Sequence, residues 1–499
     1  MPHGTVSQPT LRDLLTNPAW TDDDLGAPLP DDRHAISVCL PTWDAVLGYE
    51  EGRDKILKRL RCGYPRFFKH PLVERLFSTA ADQLAVESER VVVFPHRAAA
   101  QRALRFVEKR TGAAARIVSF DGMQALIVPE AAAVVAMEYW RYTGEIVSSR
   151  QALDVLDGDG FWKYDTSELR ARIANFGNYG AEDVFLYESG MSGVYAVHRG
   201  VTGMFAGKKT LQLDFPYVDV LKIQNYFGAG AVLLNDSVGE SFDEALKRIR
   251  QGEFAAVFCE VPSNPLLRSI DLKKVHQACR DGGVPLVVDD TISSVLNVDV
   301  ARYADIVTTS LSKWISGKGD VLAGCVQLVK SSPFYDDLAE FFTDDCEDGS
   351  RLYAADAAVL DENSKGFPER MAPVNANALA LVELLQAHPG VDKIWYPSLS
   401  TPEFYAQVMR EGAGFGGLIS FTVKNEKNSA KVFDALQISK GPSLGTDFSL
   451  ACPYTLLAHY DELDWAAGCG VPAHLIRASI GQEPQQVILS AFQQALEFA

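Results

Sequence analysis

The sequence predicts an α/β fold in which a parallel or mixed sheet is covered by helices on both faces, followed by a smaller α+β domain. First, the chain has 499 residues, of which 47% are hydrophobic and 22% charged, so it is long enough for two or three domains with buried cores. Second, short apolar runs alternate with helical segments from about residue 88 onward, which is typical of strands buried on both faces. Third, near residue 350 a long amphipathic helix replaces this pattern.

These patterns divide the chain into three segments. Residues 1–75 are Pro-rich and irregular between short helical pieces, which indicates an arm rather than an independent core. Residues 76–350 carry the alternating strands and helices, and the clearest helix is "HRAAAQRALRFVEKRTG" with its closing glycine. Residues 351–499 are predicted to form the α+β C-terminal domain.

Charge and composition limit the partners of the protein. The net charge of −18 argues against nucleic acid or an anionic membrane surface, because both attract basic patches, and it favours small metabolites. Eight cysteines are scattered singly without CxxC or paired ligand spacing, which predicts reduced thiols and no metal site. No segment has the pattern of a secretory leader or approaches a membrane span, so a cytoplasmic protein is expected.

Four predicted strands end in polar or reactive side chains. One ends in a Ser-Gly turn that opens a helix, which would aim the backbone N–H groups of Gly190 and Met191 at an anion. The other three end at Asn264, at Asp289 followed by Asp290, and at Ser310, Ser312 and Lys313. Taken singly, a Ser-Gly strand end is most often a turn, an Asp-Asp pair a helix cap, and a lysine a solvated side chain. Because ligands bind beyond the carboxyl ends of such strands, we expect them to converge, and together they are the groups that pyridoxal phosphate (PLP) requires.

Two glycine motifs that suggest a nucleotide site do not fit one. Gly317-Lys318 lacks the earlier glycine and the following Ser/Thr of a phosphate loop, since Ser312 and Gly319 occupy those places. The stretch "GAGFGG" at 412–417 matches G-x-G-x-x-G, but an apolar strand follows where a dinucleotide site has a helix. The sequence therefore predicts neither site.

An ordered series of motifs resembles the Cys/Met-metabolism family of PLP-dependent enzymes, and most closely its fungal cystathionine γ-synthase-like branch. The motifs are "YPRFFKHP" (64–71), "SGM" (189–191), "VPSNPLL" (261–267), "VVDDT" (287–291), "SLSK" (310–313), "PSLGTDFSL" (442–450) and "IRASIGQE" (476–483). The resemblance implies the PLP-dependent transferase fold type I, with a mixed, mostly parallel seven-stranded sheet. Residues 76–350 would be the large PLP-binding domain, and residues 351–499 the domain that binds the substrate carboxylate.

The resemblance also implies roles for the residues at the strand ends. Lys313 would be the lysine that joins the cofactor as an imine and then acts as a base. Ser310 and Ser312 would anchor the cofactor phosphate together with Gly190 and Met191. These five residues form the predicted phosphate and lysine end of the site.

Five further residues complete the predicted site. Asp289 would face the pyridine nitrogen and keep it protonated, and Asn264 would bind the phenolic oxygen. Tyr217 would stack on the cofactor ring and assist as an acid or base. Ser443 and Arg477 would bind the substrate, with the arginine gripping its α-carboxylate through two bonds.

Tyr64 and Arg66 match residues that, in the family, reach the phosphate of a neighbouring subunit. Residues 1–75 would then be an arm that contributes to that neighbour's site. The resemblance therefore implies a homodimer or homotetramer with shared active sites.

The implied activity is γ-replacement on an O-acylated homoserine through a vinylglycine-type intermediate, as in cystathionine γ-synthase. The partners are then an amino-acid substrate and a second, nucleophilic substrate. Members that handle a second amino group commonly have glutamate where this chain has Pro442, so thiol, sulfide and a carbon nucleophile from a β-keto compound all stay open. A γ/β-lyase is an alternative, and a non-catalytic PLP-binding paralogue is a remote one.

Overall fold

A computed structural model describes residues 11–85, 87–159, 163–177 and 179–499. The first ten residues of the predicted arm lie outside these ranges. The strands form three sheets. The first has β1 (Glu89–Phe94), β2 (Arg116–Phe120) and β3 (Met123–Pro129); the second has β4 (Val184–Tyr187), β5 (Thr210–Leu213), β6 (Ala231–Leu234), β7 (Val257–Glu260), β8 (Leu286–Asp289), β9 (Ile306–Ser310) and β10 (Gly324–Leu328); the third has β11 (Val391–Trp395), β12 (Leu418–Val423), β13 (Ser439–Lys440), β14 (Leu450–Cys452) and β15 (Ile476–Ser479).

The α-helices of the described ranges surround these sheets. They are α1 (Trp43–Glu50), α2 (Asp54–Leu57), α3 (Pro71–Leu84), α4 (Arg97–Thr111), α5 (Ala133–Thr143), α6 (Ser149–Asp157), α7 (Ser167–Gly177), α8 (Gly190–Met204), α9 (Val218–Phe227), α10 (Gly239–Arg250), α11 (Leu272–Gly282), α12 (Tyr335–Asp345), α13 (Ala354–Ser364), α14 (Phe367–Ala387), α15 (Pro397–Ser400), α16 (Pro402–Tyr405), α17 (Ser429–Ala435), α18 (Tyr454–His459), α19 (Leu463–Gly468) and α20 (Gln485–Leu496).

The central sheet has the predicted mixed, mostly parallel arrangement. Its strand order is β4-β10-β9-β8-β7-β5-β6, and only β10 runs antiparallel to its neighbours. Glu260 at the end of β7 pairs in register with Asp289 at the end of β8, which in turn pairs with Thr308 in β9. The carboxyl ends of these strands therefore lie along one edge of the sheet.

Helices cover both faces of this sheet because successive strand residues point in opposite directions. Val257 and Leu286 pack into one core with α10 and α11, whereas Phe258 and Val287 pack into another with α8. All four side chains are nearly inaccessible to solvent. The continuous apolar runs of the sequence thus reflect burial on both sides.

The first three strands form a separate antiparallel sheet, which the alternating sequence pattern did not separate from the large one. Asp121 and Gly122 connect β2 to β3, and their φ angles are 43° and 80°. An Asp-Gly pair with both φ angles positive is the preferred two-residue hairpin turn. The "SFDGMQ" stretch is therefore the local signal for this hairpin.

Helix α4 confirms the predicted amphipathic helix and its glycine stop. The backbone N–H of Ala99 donates to the His96 ring at the beginning of the helix, with a distance of 3.2 Å. Gly112 ends it with φ of 68°, in the left-handed region that glycine adopts without a Cβ clash.

The described part of the N-terminal segment packs against its own chain. Lys440 in the third sheet is buried and donates to the carbonyl of Pro41 at 2.8 Å, and the N–H of Leu40 donates to the Lys440 carbonyl at 3.0 Å. The N–H of Ala19 donates to Ser439 Oγ at 3.1 Å. Ala19, Leu40 and Pro41 therefore attach this segment to the C-terminal sheet of the same chain.

The described residues were compared with the requirements of a membrane-spanning helix and of a metal site. Within the described ranges, helices that combine the length and the apolarity needed to cross a bilayer are absent. The same part of the chain contains no group of three or more His, Cys, Asp or Glu side chains placed to hold a metal ion.

Candidate active site

A cavity of about 610 Å³ lies at the carboxyl edge of the central sheet. Residues from the N-terminal segment, the central sheet and the C-terminal sheet line it together. Of the residues predicted for the site, the lining includes Tyr64, Arg66, Gly190, Met191, Tyr217, Asn264, Asp289, Ser310, Lys313 and Arg477. The structure therefore brings ten of the twelve predicted residues to one cavity. Ser443 lies next to it, because its Oγ atom is 3.3 Å from Lys313 Nζ.

Lys313 follows β9 and places its amine between two hydroxyl groups. Its Nζ atom lies 3.4 Å from the Tyr64 hydroxyl and 3.3 Å from Ser443 Oγ. Burial lowers the pKa of Lys313, and the positive charges of Arg477 and Arg66 act in the same direction. A larger fraction of neutral amine is therefore available than for a solvated lysine, as a nucleophile or a base requires.

Asp289 faces the cavity, whereas its neighbour Asp290 does not. The Asp289 carboxylate accepts hydrogen bonds from the Thr291 N–H at 2.9 Å and from Thr308 Oγ1 at 2.8 Å. Burial raises the pKa of Asp289. Asp290 instead accepts from Thr309 Oγ1 at 2.5 Å on the other side of the strand.

Glu260 is a buried acid of the cavity that the sequence reasoning did not single out. It accepts hydrogen bonds from the N–H of Tyr217 at 2.5 Å and from the N–H of Asn264 at 3.3 Å. Burial raises its pKa well above the ordinary value, and the nearby Asp289 carboxylate adds to this. Glu260 thus fixes the backbone of two predicted site residues. The sequence signal that could have identified Glu260 is its position as the last residue of an apolar strand, in "VFCEV".

The beginning of α8 forms a close-fitting turn against Ser310. A Cβ atom added to Gly190 would lie 2.9 Å from the Ser310 Cβ, so only glycine allows this approach. The Ser189 side chain caps the helix by accepting from the Ser192 N–H at 3.1 Å. The first backbone N–H groups of a helix lack intrahelical partners and attract anions. Gly190 and Met191 therefore present a predicted phosphate cradle to the cavity.

Ser312 is not among the residues that line the cavity, although the resemblance implies that it anchors the cofactor phosphate. Its Oγ atom accepts from the Ala323 N–H at 2.9 Å and donates to the Ala323 carbonyl at 3.2 Å. Both hydrogen-bonding functions of the hydroxyl are therefore used by the backbone leading to β10. Of the two flanking serines, Ser310 alone lines the cavity.

Arg477 in β15 reaches the cavity from the C-terminal sheet. Its guanidinium donates to Asn264 Oδ1 at 3.3 Å and to the Pro442 carbonyl at 2.8 Å. The Tyr454 ring lies under it, with the Cζ atom 4.6 Å from the ring centroid. Tyr454 is a further residue that the sequence reasoning missed, and its hydroxyl lies 3.5 Å from Asn264 Nδ2.

Tyr64 and Arg66 lie in the cavity of their own chain. Arg66 donates to the Tyr217 hydroxyl at 2.5 Å and forms a fully buried ion pair with Asp219. It also donates to the Arg141 carbonyl at 2.8 Å. These contacts lie within one chain, whereas the resemblance implied contacts with a neighbouring subunit's site.

The path of the chain between residues 71 and 148 explains how Tyr64 and Arg66 reach the cavity of their own chain. Here α3, the first sheet, α4 and α5 share one core with residues of α8 and α9, including Val194 and Ile223. The chain thus leaves the cavity after Phe68 and returns to it at Arg141. This unit contains most of the residues that separate Tyr64 from the α8 turn in the sequence.

Comparison with known proteins identifies the family. The sequence profile described as "Cys/Met metabolism PLP-dependent enzyme" matches residues 164–497. The chain belongs to this family of PLP-dependent enzymes. A second profile, "Fungal trans-sulfuration enzyme, N-terminal domain", matches residues 72–148. The predicted family and the predicted cofactor are therefore confirmed.

The chain matches relatives of this PLP-dependent enzyme over nearly their whole length. The cystathionine gamma-synthase of Neurospora crassa is 30% identical, over 95% of this chain and 98% of that protein. The cystathionine gamma-synthase-like enzyme iboG1 of Amanita muscaria is 29% identical, over 95% of this chain and 96% of that protein. The solved cystathionine gamma synthase of Xanthomonas oryzae pv. oryzae, in complex with aminoacrylate and cysteine, is 25% identical with a TM-score of 0.57, covering 65% of this chain and 83% of that one. The protein is thus a cystathionine gamma-synthase-like PLP enzyme with the predicted fold.

The cavity of this family member fits PLP on its own geometry. Burial raises the pKa of the Asp289 carboxyl group, and a cationic pyridine nitrogen beside it would lower that pKa again. A glycine cradle at Gly190 offers backbone N–H groups to a phosphate. A buried lysine, Lys313, supplies the amine. The donor set thus matches the charge of each end of the cofactor.

Proposed function

We propose that the enzyme catalyses γ-replacement on an O-acylated homoserine, in which a nucleophile takes the place of the acyloxy group at Cγ. The observation that carries the proposal is the position of the Lys313 amine, buried between the Tyr64 and Ser443 hydroxyls in a cavity that Arg477 also lines. Such a reaction needs a base that can reach two successive carbons of the substrate and a cation for its carboxylate.

In this proposal, Lys313 binds the cofactor covalently, Asp289 holds its ring nitrogen, and Gly190, Met191 and Ser310 hold its phosphate. When bound, PLP withdraws electrons from the substrate Cα and makes the attached proton acidic. Tyr217 would stack on the ring, and Asn264 would bind the phenolic oxygen, as the sequence predicted.

Arg477 binds the substrate α-carboxylate. Its guanidinium is already oriented by the Pro442 carbonyl and by the Tyr454 ring. A preoriented planar guanidinium loses less conformational freedom when it binds a carboxylate through two hydrogen bonds. This contact fixes the substrate Cα and Cβ relative to Lys313.

Lys313 and Tyr64 move the protons. Burial raises the pKa of Tyr64, but the charges of Lys313 and Arg66 outweigh it, so the pKa lies below that of an ordinary tyrosine. In contrast, burial leaves the pKa of Tyr217 raised. We therefore assign proton exchange with the Lys313 amine to Tyr64, and Tyr217 keeps its predicted role against the cofactor ring.

Incubation of the holoenzyme with O-acetyl- and O-succinyl-homoserine tests the proposal. Each substrate is combined with L-cysteine, with sulfide or with a β-keto compound, and the products are identified by mass spectrometry. Turnover of none of these mixtures contradicts the proposal. Release of a keto acid and ammonia without an added nucleophile would instead favour the lyase alternative.

The oligomeric state stays a prediction. A homodimer or homotetramer is compatible with a cavity built within one chain, because the contacts of Tyr64 and Arg66 described above need no second subunit. Sizing of the holoenzyme by light scattering measures this directly.

A further inference from the structure

The outer part of the cavity holds an acidic and a basic side chain that are not paired with each other. Glu50 ends α1, and Arg141 lies in the last turn of α5. Both line the cavity. Among the residues that the structure describes, none forms a hydrogen bond or an ion pair within 4.0 Å with the Glu50 carboxyl group.

Among the described residues, Glu50 has no lysine or arginine within the 4.0 Å of an ion pair. Its burial raises its pKa to about 8; Arg141 lowers the pKa and Asp461 raises it. The other cation at this rim, Lys222, is already paired with Glu462 at 3.0 Å. A ligand ammonium group next to Glu50 would supply the missing charge.

Arg141 is held in place by aromatic rings rather than by a carboxylate of its own. Its Cζ atom lies 4.5 Å from the Phe67 ring centroid and 5.8 Å from the Tyr142 ring centroid. The nearest carboxylate, on Asp219, lies 3.9 Å from Arg141 Nε and already pairs with Arg66. The Arg141 side chain keeps 41% of its surface exposed. The outer face of the guanidinium is therefore available for a carboxylate.

We infer that Glu50 and Arg141 form the subsite for the second substrate and select a nucleophile that carries both an ammonium and a carboxylate group. The inference rests on the proposed γ-replacement. Glu50 supplies the acidic group from the N-terminal segment, and Arg141 supplies the cation. An α-amino acid thiol fits this pair, whereas sulfide and an uncharged carbon nucleophile do not use it.

The test removes one charge from the enzyme and one from the nucleophile in the same set of assays. L-Cysteine carries both groups, cysteamine only the ammonium group, and 3-mercaptopropionate only the carboxylate. Each is assayed as the thiol with saturating O-acetyl- or O-succinyl-homoserine and holoenzyme. Glu50→Gln is expected to lower kcat/KM about 10- to 100-fold for cysteine and cysteamine, but less than about threefold for 3-mercaptopropionate.

Arg141→Gln is expected to give the complementary pattern. It lowers kcat/KM by a similar factor for cysteine and 3-mercaptopropionate, but not for cysteamine. Arg141→Lys keeps the charge and recovers part of the loss. Matched controls are Glu108→Gln and Arg105→Gln, two exposed positions on α4 that lie outside the cavity lining.

The outcomes separate this inference from the proposed function. Equal loss for all three thiols, or no loss for any, would overturn the subsite, while formation of the thioether product by the wild-type enzyme would still support γ-replacement. Turnover with a β-keto compound alone overturns the subsite but not γ-replacement. Absence of a substitution product from the wild-type enzyme with every thiol, with sulfide and with a β-keto compound overturns γ-replacement and the subsite together. The KM of the acylhomoserine, measured in each variant, distinguishes a distorted cavity from a lost nucleophile contact.

Discussion

The Lys313 amine lies 3.4 Å from the hydroxyl of Tyr64, which belongs to the same chain, although 249 positions separate the two residues. The amine also lies 4.5 Å from the centre of the Tyr64 ring. The N-terminal segment that carries Tyr64 is therefore part of its own chain's cavity. In this arrangement, each chain supplies a complete set of the predicted site residues that reach the cavity.

Mixing of two inactive variants should therefore not restore activity. Tyr64→Ala and Lys313→Ala each remove one of these two groups. Because both groups of a site come from one chain, a hybrid dimer contains no site with both wild-type residues. The expected activity of the mixture is the sum of the two separate preparations, measured as acyl release.

The control is a mixture of wild-type enzyme with Lys313→Ala after the same exchange procedure. Isotope-labelled subunits and native mass spectrometry establish that hybrids form. Recovery of activity in the mixture of the two inactive variants would show that Tyr64 serves the neighbouring subunit.

A second prediction distinguishes the two adjacent aspartates. Asp289→Asn should reduce turnover by about two to four powers of ten, the range for well-placed acid/base and electrostatic groups. Asp290→Asn should reduce it much less, because its carboxyl group faces Thr309 rather than the cavity. Rates are compared at equal cofactor occupancy, checked by absorbance. A larger loss for Asp290→Asn would reverse the assignment.

A third prediction concerns the two serines beside Lys313. Ser310→Ala should weaken PLP binding by about 10- to 150-fold, as expected for one lost hydrogen bond to a charged group. Ser312→Ala should leave the affinity within about threefold but lower stability, because its hydroxyl bonds to the Ala323 backbone.

Fluorescence titration of the apoenzyme with PLP measures the affinity, and urea unfolding measures the stability. Similar losses of affinity in both variants would mean that Ser312 turns toward the phosphate when the cofactor is bound.

The sequence predicts the chemistry of the site better than the path of the chain. Asp289, Asn264 and Lys313 follow apolar strands, and the edge of a parallel sheet brings such strand ends together. The orientation of Ser312 depends instead on how the chain turns toward Ala323, which no local pattern specifies.

The same distinction explains the N-terminal segment. Its motif "YPRFF" predicts that Tyr64 lines a cavity, but not whether that cavity lies in the same chain or in a neighbouring subunit. That depends on the packing of residues 71–148 beside α8 and α9, a tertiary property. Within this unit, only the Asp-Gly turn at residues 121–122 gave a local signal for the separate sheet.

The last prediction uses Lys440, a buried lysine outside the cavity that ties the N-terminal segment to the third sheet. Burial lowers its pKa from the ordinary 10.5 to about 8, whereas Asp434 acts in the opposite direction. Between pH 8 and 10.5 the unfolded chain holds a proton at this amine that the folded chain has released. The free energy of unfolding should therefore rise with pH across this window, by about 3 kcal/mol for this group alone.

Lys440→Met removes this titration and should flatten the rise, even though loss of its hydrogen bonds to the carbonyls of Pro41 and Asp434 lowers stability at every pH. Urea unfolding at pH 8 and at pH 10 measures the difference. Lys424→Met is the matched control, because Lys424 also donates to a carbonyl, that of Pro389, but is exposed. If Lys440→Met and wild type gain equally between the two pH values, then Lys440 keeps its proton in the folded chain, and the carbonyls and the Trp20 ring stabilise the buried charge fully.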